Sequence, residues 1–341
     1  MNQQIVRVIY PANGAQFVLR TEDDWDVDLP PVSVDGSASE FQIETKRPFF
    51  YFKPLLVRGN EKNWSRGKNY LAIATSGTPV DVHPYFREET HCSVCRLMPA
   101  LASPAGNEHR FRVFLPPGYH ENTLKKYPVL YMHDGNNLFL KEEAFLGNTW
   151  MTDDVLSVLD RMNAIEEVIV VGVHPRDRMS EYTLPGYEDY GRFLVEVLKP
   201  VIDAKYRTLT DAKNTAVMGS SLGGVVSFYL GWQWPDVFGK VACLSSTFTY
   251  RDDLIERVSV EPKRAIKVYL DSGWPADNYE ATRAMRDRLI WKGYQPGSEL
   301  FYLAFPDAKH NENAWSVRSP IPFQFLFGKL PVFDLQERNN H

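Results

Sequence analysis

The feature that most constrains the fold is an alternation of strand-length apolar runs with helical patterns from residue 111 onward. The apolar runs are residues 111–115, 128–132, 168–173, 215–218, 240–244, 265–270 and 299–304. The helical patterns are residues 152–161, 190–204, 222–232 and 279–292. Strands that are apolar on both faces and alternate with helices form a mostly parallel sheet covered by helices. The sequence therefore predicts an α/β fold, with reactive groups at the carboxyl ends of strands.

The first part of the chain has a different pattern. Strand-like segments at residues 5–10, 41–45, 49–57 and 70–74 are separated by turn clusters, which is typical of a small β-sandwich. Residues 76–105 contain several prolines and no sustained period, which predicts a connector. A chain of 341 residues is expected to have two domains. We therefore expect a β-sandwich at 1–75, a connector at 76–105 and the α/β domain at 106–341.

Composition and charge exclude several classes of protein. An apolar share of 44% and a charged share of 24% are ordinary for a globular chain and argue against disorder. A net charge of −5 provides no general attraction to nucleic acid or to an anionic membrane, so neither partner is expected. The apolar runs are far shorter than the ~18 residues of a membrane span.

The expected location is the cytoplasm. Three cysteines are too few for a disulfide framework, and the N-terminus lacks the pattern of a signal peptide. A sequence that began after a removed signal would look the same. A homo-oligomer is left open.

The strongest local motif is Gly219-x-Ser221-x-Gly223, between a predicted strand and a predicted helix. The glycines permit a sharp turn, from which the Ser221 hydroxyl would project as a nucleophile. The backbone N–H of Leu222 would face a forming oxyanion at the helix start. A tight turn whose serine only caps the helix is the alternative, but the strand before the motif and the helix after it favour the nucleophile.

A serine nucleophile needs a base and an acid that orients the base. His310 follows the last predicted strand, downstream of Ser221, and is the preferred base. Asp271 ends a predicted strand, whereas Asp277 lies beyond a loop, just before a helix. We prefer Asp277 as the acid and place Asp271 second, although Asp277 could instead cap the helix. The order Ser, Asp, His is that of the α/β-hydrolases.

A metal site is a weaker interpretation of a second cluster. His83 and His91 with the Cys92-x-x-Cys95 pair could supply four ligands, but no second cysteine pair supports them. We expect reduced structural thiols there and a core position for Cys243. The predicted chemistry requires neither a metal nor an organic cofactor.

The stretch from about 111 to 326 resembles the esterase D family of α/β-hydrolases. That family includes feruloyl and acetylxylan esterases, S-formylglutathione hydrolase, mycolyl transferases and enterobactin-type esterases. The matching segments are VFLPPGY at 113–119, YPVLYMHDGNNLF at 127–139, residues 178–184, GSSLGG at 219–224, PDVFG at 235–239, the loop at 273–277, and His310 with Trp315. These motifs are specific for the fold and the Ser-His-Asp set but not for the substrate.

The resemblance implies further site residues. It assigns the second oxyanion donor to Gly135 or Asn136 and places Trp315 with the substrate. Arg178 and Tyr182 lie where the family's substrate-side loop is expected, although either could instead hold that loop to the core.

The first domain has a weaker resemblance to starch- or glycogen-binding β-sandwich modules. It is carried by Asp24-Trp25-Asp26, residues 50–53 and residues 63–69. Trp25 and Trp64 would then form a platform for sugar rings. Core or interdomain packing is the alternative for both tryptophans. Enterobactin-type esterases also have an N-terminal β-domain that shapes the entrance to the site, so a lid role competes.

We therefore expect a serine carboxylic-ester hydrolase that forms an acyl-enzyme. The expected substrates are aromatic-acyl or acetyl esters of carbohydrates, or a related small ester. An enterobactin-type lactone esterase and an acyltransferase are the alternatives within the enzymes. A glycan-binding module with a degenerate hydrolase domain is the alternative outside them.

Overall fold

The computed structural model of the chain describes residues 2–11, 14–73, 78–88, 93–94 and 97–329. These residues form two compact units. The first unit is drawn from residues 1–93, 115–126 and 161–163, and the second from residues 94–114, 127–160 and 164–341.

The first unit contains two β-sheets. Its strands are β1 (Asn2–Ile9), β2 (Gln16–Thr21), β3 (Asp24–Leu29), β4 (Ser33–Asp35), β5 (Ala38–Thr45), β6 (Phe49–Arg58), β7 (Glu61–Trp64), β8 (Tyr70–Ile73) and β9 (Val80–Val82). One sheet has the order β4-β5-β1-β9, and the other has the order β3-β2-β6-β7 with β8 also paired to β6.

The sandwich core of the first unit is built from alternate residues of the strands. Val6 and Val8 of β1 and Phe50 and Phe52 of β6 belong to one buried cluster that draws on both sheets. Because successive side chains of a strand point to opposite faces, alternate residues of each sheet face this core. Within the segment predicted as a connector, β9 pairs in parallel with β1.

The second unit contains the larger sheet. The remaining strands are β10 (Ser93–Val94), β11 (Leu101–Ala102), β12 (Glu108–His109), β13 (Phe111–Leu115), β14 (Val129–Met132), β15 (Ile169–Val173), β16 (Thr215–Ser220), β17 (Lys240–Leu244), β18 (Lys267–Trp274) and β19 (Leu300–Pro306). The eight-stranded sheet has the order β10-β13-β15-β14-β16-β17-β18-β19. β13 pairs antiparallel with β15, and the pairs from β15 to β19 are parallel. The predicted α/β-hydrolase fold with an N-terminal β-rich part is confirmed.

Helices connect and cover these strands. They are α1 (Thr152–Arg161), α2 (Arg178–Glu181), α3 (Gly186–Arg192), α4 (Lys199–Lys205), α5 (Leu222–Gln233), α6 (Leu254–Val260), α7 (Tyr279–Trp291), α8 (Glu312–Arg318) and α9 (Pro320–Phe327). The stretch predicted as one helix at 190–204 is interrupted by a π-helical segment, Phe193–Leu198. Within the described ranges, no helix combines the length and apolarity that crossing a bilayer requires.

Candidate active site

Ser221 lies on a sharp turn between β16 and α5. Its φ is 56° and its ψ is −122°, a conformation that costs energy for a residue with a side chain. Small neighbours make the turn feasible, since a Cβ on Gly219 would lie 2.5 Å from the Gly223 carbonyl oxygen. A Cβ on Gly224 would lie 1.9 Å from Ser246 Oγ. The turn thus requires glycine at 219, in the sequence motif, and at 224, directly after it.

Three side chains from neighbouring parallel strands form a hydrogen-bonded chain. His310, after β19, has its Nε2 atom 2.9 Å from Ser221 Oγ. The other ring nitrogen, Nδ1, is 2.6 Å from Asp277 Oδ1. Asp277 follows β18, so the three groups meet at the carboxyl edge of the sheet. The geometry allows the imidazole to take a proton from the hydroxyl while the carboxylate faces the opposite side of the ring.

The carboxylate of Asp277 is held by several donors. Oδ2 accepts hydrogen bonds from Ser245 Oγ at 2.6 Å and from the Gly273 backbone N–H at 2.7 Å. Burial acts to raise the pKa of Asp277, but the hydrogen bonds from His310, Ser245 and Gly273 outweigh it, so the pKa is below its ordinary value. Asp277 therefore stays ionised at neutral pH.

Asp271 has a different environment from Asp277. It is fully buried, and its Oδ2 accepts a hydrogen bond from the Tyr269 hydroxyl at 2.9 Å. Its Oδ1 is 3.4 Å from Arg318 Nη2. Burial raises the pKa of Asp271 to about 6, although the charge of Arg318 opposes this rise. The acid in contact with His310 is thus Asp277, and Asp271 belongs to the buried support behind it.

The sequence analysis missed two residues of that support, Ser245 and Arg318. Ser245, directly after β17, has a φ of 47°. Its Oγ accepts hydrogen bonds from Arg318 Nη2 at 2.7 Å and from Trp315 Nε1 at 3.0 Å. Trp315 and Arg318 are three residues apart on α8 and therefore reach the same side of it. That spacing downstream of His310 was the signal available in the sequence.

Trp315 lies against the base as well as against Ser245. Its ring meets the His310 imidazole edge to face, with centroids 5.0 Å apart. Its N–H is already used by Ser245, so Trp315 offers a substrate its ring and no hydrogen bond.

Two helix starts provide the candidate backbone donors for an oxyanion. Leu222 is the first residue of α5, and Gly135 and Asn136 begin a single 3₁₀ turn, Gly135–Asn137. N–H groups at a helix start have no intrahelical acceptor. Gly135 packs on β15, since a Cβ there would lie 2.4 Å from the Gly172 carbonyl carbon. Asn136 lines the same cavity as Ser221.

Arg178 and Tyr182 were both expected on the substrate side, and the structure places only Arg178 at the cavity. Arg178 lines the cavity, where its Nε donates to Asp134 at 2.9 Å and its Nη2 donates to the Ser220 carbonyl at 3.2 Å. Tyr182 is fully buried, and its hydroxyl accepts a hydrogen bond from the Asp134 N–H. Tyr182 therefore has no surface to present to a substrate and holds the loop to the core, which is the alternative that the sequence left open for it.

A cavity of about 630 Å³ opens over the Ser221 hydroxyl. Phe145, Leu146, Pro175 and Trp315 give it apolar surface. The polar described residues that line it, besides Ser221 and His310, are Asp134, Asn136, Asn137, Asn148, Arg178, Asn311, Glu312 and Asn313. The volume is within the roughly 300–1,000 Å³ range of small-molecule sites.

The remaining predicted residues lie elsewhere. Trp25 and Trp64 are neighbours in the first unit, with ring centroids 6.2 Å apart. Cys243 is buried, whereas His91, Cys92 and Cys95 lie outside the described residues. In the part of the chain that the structure describes, no group of three His, Cys, Asp or Glu residues could hold a metal ion.

The fold and the serine turn are those of the α/β-hydrolase class. Residues 103–317 match the model of the family described as "Putative esterase". The chain belongs to this family, and it is an esterase.

Three known proteins illustrate the similarity. The chain is 25% identical over 185 residues to the uncharacterized protein YbbA of Bacillus subtilis, which covers 50% of this chain and 69% of that protein. A solved ferulic acid esterase has a TM-score of 0.57 at 20% identity, with 68% of this chain and 98% of that chain covered. The enterobactin esterase of Shigella flexneri has a TM-score of 0.56 at 16% identity, with 91% of this chain and 87% of that chain covered. At these identities the two structures show the shared fold.

Proposed function

We propose that this esterase hydrolyses carboxylic esters through an acyl-enzyme on Ser221. The observation that carries the proposal is the hydrogen-bonded chain from Ser221 through His310 to Asp277. His310 removes the Ser221 proton as the hydroxyl attacks the ester carbonyl, and Asp277 stabilises the imidazolium that forms. The protonated imidazole then donates its proton to the leaving alcohol. Water, activated by the same imidazole, releases the acid and restores Ser221.

Backbone N–H groups stabilise the charge that develops on the carbonyl oxygen. We assign this role to the N–H of Leu222 and the N–H of Asn136, because both lie at helix starts and Asn136 also lines the Ser221 cavity. Gly135 is the less favoured donor, because it packs against β15.

The lining of the cavity favours an ester with an aromatic or acetyl acyl group and a polyhydroxylated alcohol. Phe145, Leu146 and Trp315 provide apolar surface for a ring. Five asparagines and Glu312 provide amide and carboxylate groups that can hydrogen-bond hydroxyls. The likeness to ferulic acid esterases is consistent with this class.

Enterobactin-type lactone hydrolysis is the second candidate. It is favoured by the fold likeness to the enterobactin esterase, which extends over 91% of this chain and therefore beyond the 68% shared with the ferulic acid esterase. The two candidates share the Ser221 chemistry and differ in the acyl and alcohol parts of the substrate.

The test compares initial rates on p-nitrophenyl acetate, methyl ferulate and a cyclic serine trilactone. Wild type should hydrolyse methyl ferulate, Ser221→Ala should lose at least about 10³-fold in kcat, and the neighbouring Ser220→Ala should retain most activity. Preference for the trilactone would favour the second candidate. A Ser221→Ala variant with wild-type rates would contradict both.

A further inference from the structure

A second cavity lies in the first unit, within the β-rich part of the chain. Its volume is about 430 Å³. The described residues that line it are Tyr10, Leu56, Arg58, Lys62, Asn63, Trp64, Arg66, Phe86, Arg87 and Glu121. All of them belong to the first unit. The cavity is large enough for a small-molecule ligand, and ester hydrolysis at Ser221 does not account for it.

The lining is strongly basic. Four cationic side chains, from Arg58, Lys62, Arg66 and Arg87, face one carboxylate, that of Glu121. Among the described residues, no carboxylate forms a salt bridge with Arg58, Arg66 or Arg87, whereas Lys62 pairs with Asp28. Like charges gathered around a concave surface repel one another and create a positive potential that an anion relieves.

Glu121 offsets only one of the four positive charges, and its carboxylate is held by neutral donors rather than by the cations. Its Oε1 accepts hydrogen bonds from the Tyr10 hydroxyl at 2.7 Å and the Phe86 N–H at 2.9 Å. Its Oε2 accepts one from the Arg87 N–H at 2.8 Å. The carboxylate is buried and serves as an anchor for the chain at residues 86–87. The arginine side chains are exposed and have donors available for a ligand.

Aromatic surface completes the cavity. Trp64 is 41% exposed and lines it together with Phe86. The Arg20 guanidinium lies 5.2 Å from the centre of the Trp64 ring, and the centroid of the Trp25 ring is 6.2 Å from it. Aromatic rings stack on the apolar faces of sugar and aromatic rings, while arginine forks bind carboxylate or phosphate groups in pairs of hydrogen bonds.

We propose that the first unit binds an acidic sugar in this cavity. The recognised chemistry is a sugar-sized ring that carries a carboxylate or phosphate group. The ring packs on Trp64, and the anionic group lies between Arg58, Arg66 and Arg87. A neutral glucan would bring no opposite charge to these cations, so the charge of the cavity distinguishes this ligand from the starch-like ligand expected for a tryptophan platform alone.

The experiment is calorimetric titration of the full chain with four probes: trigalacturonate, glucose 6-phosphate, maltotriose and inorganic phosphate. Trigalacturonate or glucose 6-phosphate should bind, and affinity should fall as salt is raised. Tighter binding of trigalacturonate would identify the ligand as a uronate, and tighter binding of glucose 6-phosphate would identify it as a phosphorylated sugar. Binding should be weakened about tenfold or more in the double variant Arg58→Ala with Arg87→Ala and in Trp64→Ala.

Two controls make the titration decisive. Lys46→Ala removes one exposed cation of the same unit that does not line the cavity and should bind within about twofold of wild type. Unchanged circular dichroism would show that the arginine variants are folded. Equal affinity for maltotriose, equal affinity for inorganic phosphate alone, or no binding of either acidic sugar would each overturn the proposal. Because binding is the readout, the outcome does not depend on the Ser221 chemistry.

Discussion

Two aspartates a few residues apart have opposite electrostatic environments. Asp277 receives hydrogen bonds from Ser245 and Gly273 and contacts His310, so its pKa is lowered. Asp271 is enclosed by Tyr269 and Arg318, and burial raises its pKa to about 6. The sequence favoured Asp277 but kept Asp271 as the second choice, because one ends a predicted strand and the other follows the loop after it. The approach of His310 from β19 decides between them, and that approach depends on tertiary structure.

The first prediction separates the two acids by kinetics. Asp277→Asn should reduce kcat on methyl ferulate by on the order of 10³–10⁴-fold, because the amide cannot stabilise the imidazolium and favours the wrong tautomer of His310. Asp271→Asn should reduce kcat far less, since Asp271 does not contact the imidazole. Equal losses in the two variants would contradict the assignment. Both should be assayed beside Ser221→Ala.

The second prediction concerns the pH dependence of stability. Between about pH 4 and pH 6, Asp271 holds a proton in the folded protein that the unfolded chain has lost. The stabilisation that this proton gives the folded state is present at low pH and is lost as pH rises through 6. Asp271→Asn has no such dependence. The unfolding free energy of wild type relative to this variant should therefore fall by roughly 2–3 kcal/mol between pH 4 and pH 7. Urea denaturation at each pH measures it, and a constant or rising difference would disprove the raised pKa.

At the scale of elements, the serine turn was predictable because its requirements are local. The strand of residues 215–218, the glycines and the helix that begins at Leu222 are all visible in the sequence, and the structure has β16 and α5 at those places. By contrast, β3 and β7 were not predicted. The sequence of β3, DWDVDL, alternates, but every second residue is an aspartate, which is rare in strands. β7, EKNW, has no alternation. Pairing with β2 and β6 decides the conformation of both strands.

The third prediction tests the close packing of that turn. Gly219→Ala should destabilise the protein by about 1–3 kcal/mol, because the added methyl group would press on the Gly223 carbonyl oxygen. Since the turn positions Ser221, kcat should fall in parallel. Urea denaturation and ester assays on the same samples measure both effects. A variant with wild-type stability and rate would show that the turn tolerates a side chain there.

At the scale of the whole molecule, the boundary of the first unit does not follow the sequence. Residues 115–126 carry part of the family-like motif VFLPPGY, yet they pack with the first unit through Glu121 and Asn122. Asn122 Nδ2 donates to the carbonyls of Ile9 and Pro84. Contacts between residues more than 100 positions apart have no local signature, which is why the sequence predicted contiguous segments, 1–75, 76–105 and 106–341, instead.

The fourth prediction tests whether Glu121 anchors residues 115–126 to the rest of the first unit. Glu121→Ala should destabilise the first unit by on the order of 3 kcal/mol, because the Tyr10 hydroxyl and the N–H groups of Phe86 and Arg87 lose their acceptor. Hydrogen exchange should become faster in β1 and at residues 86–87. Glu61→Ala removes an exposed carboxylate of the same unit and should leave exchange there unchanged. Similar exchange in both variants would argue against the anchoring role.

If Ser221 carries the acyl group, mass spectrometry of the protein quenched with acid during turnover of p-nitrophenyl acetate will detect it there. Wild type should gain the mass of one acetyl group, and peptide mapping should place it on Ser221. Ser221→Ala should gain none, and His310→Ala should accumulate it far more slowly because the hydroxyl has lost its base. An acetyl group found on another residue, or turnover with no adduct in wild type and undiminished activity in Ser221→Ala, would contradict the account.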